Sequence, residues 1–396
     1  MPLWKYFHNG KTWTGLHHAQ SVVDISDAVV RAQIDIDPAF VLTGQKPLLV
    51  DEWQDAPVLW DKARRIIDDE HDTGLFIFTG SAVPAKEQPV HSGTGRFMHL
   101  HMRPMSSYET DDSTGAVSLQ ELFAGATIAS TRSEMDFKKA AWLICRGGWP
   151  ASLWLDDSQK LLIPKGYITM LAESDISRAD GIPRDRQKVA LVLRSLARNT
   201  ATNARLSVLH NDVSTHEGDQ QLSIDSIRAY LAALRQIFVI EELPAWLPSL
   251  ESKRRIRTTP KRYFIDPSLA AAALGATPEL LLQDPMTAGL LFETLCVRDL
   301  LVYAESFGGT VAYYRDDSGL EADVIVQCAD GRWCAIEIKL GAGQIEAASQ
   351  NLIDLQKKLA GETQAPSFLM AITGAGGMAY TRSDGVHVVP LDCLRP

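Results

Sequence analysis

Two groups of side chains in this sequence have the types and spacings that act on phosphates. The first begins at Gly10-Lys11-Thr12. In a phosphate-binding loop, a glycine-rich turn offers backbone N–H groups, a lysine neutralises phosphate oxygens and a Ser or Thr hydroxyl holds magnesium. Read back from Lys11 against the pattern G-x-x-x-x-G-K-[ST], the chain has Lys5 where the first glycine belongs. Alone, the triplet reads equally as a polar turn. Its partner is the segment Pro47–Pro57, where Leu48, Leu49 and Val50 lead into Asp51 and Glu52. A run of apolar residues is the mark of a buried parallel strand, and two acids at its carboxyl end are what an NTPase uses to hold magnesium and polarise the attacking water. An acidic cap on a strand end is the plainer alternative. A second apolar run ends in Thr79-Gly80-Ser81, where a hydroxyl can sense a γ-phosphate or simply cap a turn. Arg96, in the glycine-rich stretch HSGTGRF, reads either as a finger that stabilises transition-state charge or as an ordinary surface arginine.

The second group lies near the other end of the chain. Glu321, Asp323, Glu337 and Lys339 fall on predicted adjacent strands, the last two as E-x-K. The period of two along a strand puts Glu337 and Lys339 on one face, so Glu337 can bind a metal while Lys339 addresses the attacked phosphate or water, with Asp323 completing the metal site. A solvent-facing charge ladder is the alternative. Between the two groups, Lys253, Arg254, Arg255, Arg257, Lys261 and Arg262 put six positive charges within ten residues. On an acidic protein this reads as a wing for nucleic-acid phosphates or as a solvated loop; no aromatic residues alternate with the charges to stack bases.

The elements that must position these residues follow from periodicity. After Pro57, Leu59, Ala63, Ile66 and Ile67 fall at helical spacing and LFIFTGSA follows as a strand, the alternation of a parallel α/β sheet. Helices are predicted at FKKAAWLICRGGWP, at YITMLAESDIS and at KVALVLRSLARNTA. Ser223 or Asp225 caps a helix that passes into an apolar strand ending at Pro244, and RYFIDP gives a second strand, so the middle reads as a winged-helix-like unit. The helix LLFETLCVRDLLVYAESF contains Glu293. Two strands around a turn at Asp317-Ser318-Gly319 follow, and then the strand WCAIEIKLG.

Composition bounds the whole. At ~150 residues per domain, the 396 residues suggest two or three domains, and 45% hydrophobic with 22% charged residues exclude a disordered or collagen-like chain. A formal charge of -10 argues against a protein that coats nucleic acid along its whole surface. The five cysteines form no C-x-x-C, which points away from zinc and disulfides and toward a reducing cytoplasm. No apolar run is long enough for a membrane span, so no membrane association is expected.

The succession NGKTWTGLHHAQSVV, LLVDEWQDAP, FIFTGSA and GTGRF...MRPMSSYE resembles a prokaryotic family of AAA-type ATP-binding proteins that carry a C-terminal domain of unknown function. The resemblance implies ATP and Mg2+ as cofactors, Gly10, Lys11 and Thr12 for phosphate and magnesium, Asp51 for magnesium, Glu52 for water activation, and a sensor at Thr79 or Ser81. It also implies a strand and a complete glycine-rich loop ahead of the GKT. The chain is therefore read as N-terminally truncated, with Lys5 impairing phosphate wrapping and hydrolysis. The later acids resemble the restriction-endonuclease-like fold, in which Glu293 matches the helical acid, and Gln344 or Gln350 the polar residue of the following helix. The expected fold class is α/β: a P-loop parallel-sheet core at 1–125, a helical lid at 126–165, a winged-helix-like region at 166–265 and a nuclease-like domain at 266–396. The expected function is ATP binding with impaired hydrolysis. The alternatives are metal-dependent nuclease activity, or a non-catalytic module binding DNA or a partner protein. Homo-oligomers are a further expectation from the AAA resemblance.

Overall fold

The computed structural model describes residues 10–81, 93–214, 222–248 and 259–396. It is a mixed α/β structure whose chain divides into two compact units. The first comprises residues up to Met102 together with Ser174–Pro183 and Ala232–Phe238, and the second comprises the remainder.

In the first unit the order is α1 (Lys11–His18), β1 (Ser21–Asp24), α2 (Ala28–Ile36), β2 (Leu48–Asp51), α3 (Val58–Glu70) and β3 (Phe76–Thr79). The three strands form a parallel sheet in the order β1-β2-β3. Strand β2 is apolar from Leu48 to Val50, where both of its faces are covered, and ends in Asp51. Leu48 and Val50 join Val23, Ile34, Leu59 and Ala63 in one core cluster. Leu49, fully buried, turns the other way toward α1. There Gly15 lets the helix lie flush on the sheet: a Cβ at this position would stand 2.8 Å from Leu49 Cδ1. Among the described residues strand β3 is an edge in this sheet, and all four of its residues are only half-buried.

In the second unit, α4 (Phe137–Arg146) is followed by further helices and then by a hairpin of β5 (Ile240–Leu243) and β6 (Lys261–Phe264), paired antiparallel from Ile240↔Phe264 to Leu243↔Lys261. Helix α5 (Pro285–Ser306) starts cleanly because Asp284 caps the Thr287 N–H and proline occupies the first turn. Next come β7 (Thr310–Arg315), β8 (Glu321–Gln327), β9 (Trp333–Lys339), α6 (Ile345–Leu359), β10 (Leu369–Thr373), β11 (Met378–Thr381) and β12 (His387–Pro390). These six strands, with Thr131–Arg132 added at one edge, make a seven-stranded sheet in the order 131–132, β11, β12, β10, β9, β8, β7. Its centre is mixed, since β9 runs antiparallel to β8 and parallel to β10. Trp333, Ala335, Leu352, Leu355 and Leu359 pack α6 onto this sheet. Val117–Ser118 pairs with Leu394–Arg395, which fixes the segment after Arg103 to the C-terminal part of the same unit.

Candidate functional site

The parallel register of the first unit sets Asp51 directly beside Thr79, at the carboxyl ends of β2 and β3. Helix α1 brings its first residues to the same place. The Thr12 hydroxyl donates to both oxygens of Asp51, at 3.1 and 3.0 Å, and Thr79 donates to Oδ1 of the same carboxylate. Glu52 leaves the strand in the left-handed region, with φ 56°, a costly conformation for a residue with a side chain. Its carboxylate accepts from Ser81 Oγ at 3.1 Å and from Gln54 Nε2, which also donates to Ser81 at 3.2 Å. Gly10, at φ 79°, makes the left-handed turn into α1, and Lys11 opens the helix. Burial lowers the Lys11 ammonium below the ordinary lysine range, although Glu52 and then Asp51 pull the other way.

Lys11, Thr12, Asp51, Glu52, Thr79 and Ser81 are therefore one cluster, with Gly10 at its entrance. Gln54 belongs to it as well; its position three residues after Asp51, on the turn that leaves β2, was the available signal. The Thr12 hydroxyl and the Asp51 carboxylate are hard oxygen donors of the kind magnesium takes together with water and phosphate oxygens, so the chemistry of the donor set fits that ion. Arg96 is placed elsewhere. Its guanidinium pairs with Asp68 at 2.5 Å, and Asp68 lies in the last turn of α3, which feeds the start of β3, the opposite end of the sheet from Asp51. Lys5 lies outside the described residues.

In the second unit Glu293 from α5, Asp323 from β8 and Glu337 with Lys339 from β9 also gather, joined by two groups that the spacing of acids does not announce. The first is Lys261 of β6. Its Nζ lies 3.1 Å from Glu293 Oε1 and 3.4 Å from Asp323 Oδ1. The second is Tyr263, whose hydroxyl donates to Glu293 Oε1 at 2.8 Å. Lys339 Nζ contacts Asp323 Oδ2 at 3.3 Å and Glu337 Oε2 at 2.5 Å. The polar residue of the following helix that reaches the site is Asn351, 2.7 Å from Glu337 Oε1. Gln344 instead accepts from the Gly341 N–H, and Gln350 bonds Asp354 on the exposed side of α6.

Burial and then the Asp323 charge push Glu293 up to about 7 and Glu337 up to about 8. Burial would raise Asp323 too, but Lys261 and Lys339 hold it below the usual carboxylate range. Burial opposes the charge of both lysines. Glu293 and Asp323 for Lys261, and Asp323 and Glu337 for Lys339, overcome it and hold each ammonium above the ordinary range.

Two members of the basic run are thereby taken out of any nucleic-acid wing. Lys261 is buried in the acidic cluster, and Arg262 pairs with Glu242 at 3.0 Å. Both were read from the sequence as solvent-facing. The short strand pairing turns Lys261 inward and sets Arg262 opposite Glu242. Lys253, Arg254, Arg255 and Arg257 lie outside the described residues.

The fold and these clusters define a mixed α/β protein carrying two separate groups of carboxylates, each with lysine beside it. Residues 138–280 match a domain of unknown function, DUF8612, and residues 288–394 match a second domain of unknown function, DUF4143. No curated protein matches the chain. Among the described residues no helix is long and apolar enough to cross a membrane, and no three His, Cys, Asp or Glu side chains gather as a metal site of their own.

Proposed function

We propose that the first unit binds ATP with Mg2+, and that the chain is an ATP-binding protein of the AAA type. The observation that carries this reading is the Thr12 hydroxyl on both oxygens of Asp51, with Thr79 on the same carboxylate. In a nucleotide site a hydroxyl at a helix start and an acid at a strand end share one magnesium. Thr12 and Asp51 would hold that ion, which when bound supplies charge neutralisation at the phosphate oxygens. Lys11 and the N–H groups at the start of α1 bind phosphate; burial lowers the Lys11 ammonium, and a phosphate beside it would favour its charged form. Glu52, held by Ser81 and Gln54, orients a water and accepts its proton. Thr79 keeps Asp51 in place. Lys5, where a glycine would let the backbone approach the phosphates, makes turnover slow.

The test is titration of the full chain with magnesium ATP, followed by thermal shift and calorimetry. At 100 times the dissociation constant, bound nucleotide should add about 2.7 kcal/mol of stability. Lys11→Ala should abolish that gain. Glu52→Gln should keep it while lowering any phosphate release about a hundredfold or more. A Lys11→Ala chain that binds magnesium ATP as well as the parent sinks the reading.

A further inference from the structure

We infer that Lys261 is the resident cation of the acidic cluster in the second unit. Its ammonium stands between Glu293 and Asp323 where a divalent metal would otherwise sit, so the cluster is a closed ion network that becomes a divalent-cation site only when Lys261 is removed. Three observations carry this. Lys261 is 3% exposed, inside the cluster rather than on its rim, with Asp323 at 5% and Glu337 at 3%. Each oxygen of Asp323 and of Glu337 already accepts from the chain: Oδ1 of Asp323 from Lys261, Oδ2 from Lys339 and the Ile338 N–H, and the two oxygens of Glu337 from Asn351 and Lys339. The position of Lys261 is set by backbone, since β6 pairs with β5 through Leu243↔Lys261, and Tyr313, whose hydroxyl donates to the Thr259 carbonyl at 2.6 Å, carries its ring 5.9 Å from the ammonium.

A catalytic magnesium needs the space and the uncompensated negative charge between its oxygen ligands, and room for its waters. Here the acids of an E-x-K pattern are present, but an ammonium group bridges each neighbouring pair. Three carboxylates share two lysines, and the arrangement holds β6, β8, β9 and α5 to one another instead of presenting a metal to a phosphodiester.

The test uses the full chain with Asp51→Asn, which silences the other carboxylate cluster, and Mn2+ as the probe. Titration by calorimetry should give the same result with and without Asp323→Asn, because Lys261 already occupies the site. A Mn2+ affinity that disappears with Asp323→Asn overturns the inference. Lys261→Met, which keeps the length of the side chain and removes its charge, should bind Mn2+ at least tenfold tighter than the parent, with a rise in Tm that Asp323→Asn cancels. A folded Lys261→Met chain that gains no such binding also overturns it. Should Lys261→Met fail to fold, the Asp323 comparison decides the matter by itself.

Discussion

The two carboxylate clusters use the same residue types and reach opposite electrostatic states. Lys11 and Lys261 each lie near two acids, yet Lys11 is lowered and Lys261 raised. At the first cluster burial outweighs Glu52 and Asp51, whose oxygens are occupied by neutral donors from Thr12, Thr79, Ser81 and Gln54. At the second, the acids outweigh burial because lysines touch them directly, at 3.1 and 3.4 Å for Lys261. A carboxylate that accepts from hydroxyls and amides can still take a metal, and a lysine lowered by burial gains from a phosphate beside it. Acids bridged by ammonium groups have already been neutralised by the chain. E-x-K and D-E look alike in sequence; the partner on a third element decides between a ligand site and an internal brace.

The largest test of this contrast is the pair Lys261→Met and Lys11→Met. Removing the cation from a buried acidic pair leaves uncompensated charge and should cost about 3–5 kcal/mol in urea unfolding. Removing Lys11 takes away a charge that burial disfavours, so its Met variant should lose no stability. Equal losses in the two variants would erase the distinction. A smaller effect is expected from Gly15→Ala. The added methyl would meet Leu49, and overpacking of this kind costs about 1–3 kcal/mol. Because α1 also carries Lys11 and Thr12, the same change should weaken magnesium ATP binding measurably, whereas a matched overpacking change in the core under α6 should leave it alone. The smallest effect belongs to Arg96→Ala. With its partner Asp68 at the far end of the sheet from Asp51, the Tm and the magnesium ATP affinity should both stay within error of the parent; a large fall in turnover would instead bring Arg96 to the phosphates.

Much of this was legible in the residues. The apolar run Leu48–Val50 ending in Asp51, the amphipathic spacing after Pro57 and the run ending at Thr79 are local patterns. Local patterns suffice for a strand-helix-strand unit, because its connections are short and its strands buried on both faces. The strands around Asp317–Gly319 and the strand at Trp333 were visible for the same reason. Lys261 was not. In sequence it closes a basic run, and only the hairpin register turns it inward while Arg262 meets Glu242. Asn351 was passed over for Gln344 and Gln350 because a polar residue's facing on a helix depends on which side packs against the sheet. The pairing of Val117–Ser118 with Leu394–Arg395 joins residues far apart in the chain, and no local propensity encodes it.

The sequence by itself determined the acids, lysines and hydroxyls available to each cluster, the α/β alternation, and the strands that end in Asp51 and Thr79, since each depends on neighbours within a few positions. Tertiary structure alone decided that Thr12 and Thr79 converge on one carboxylate of the first cluster, and that Lys261 enters the second. A charge is read from the letter, but whether it is free or satisfied depends on distances across elements far apart in the chain, and those are fixed only when the sheets and helices pack.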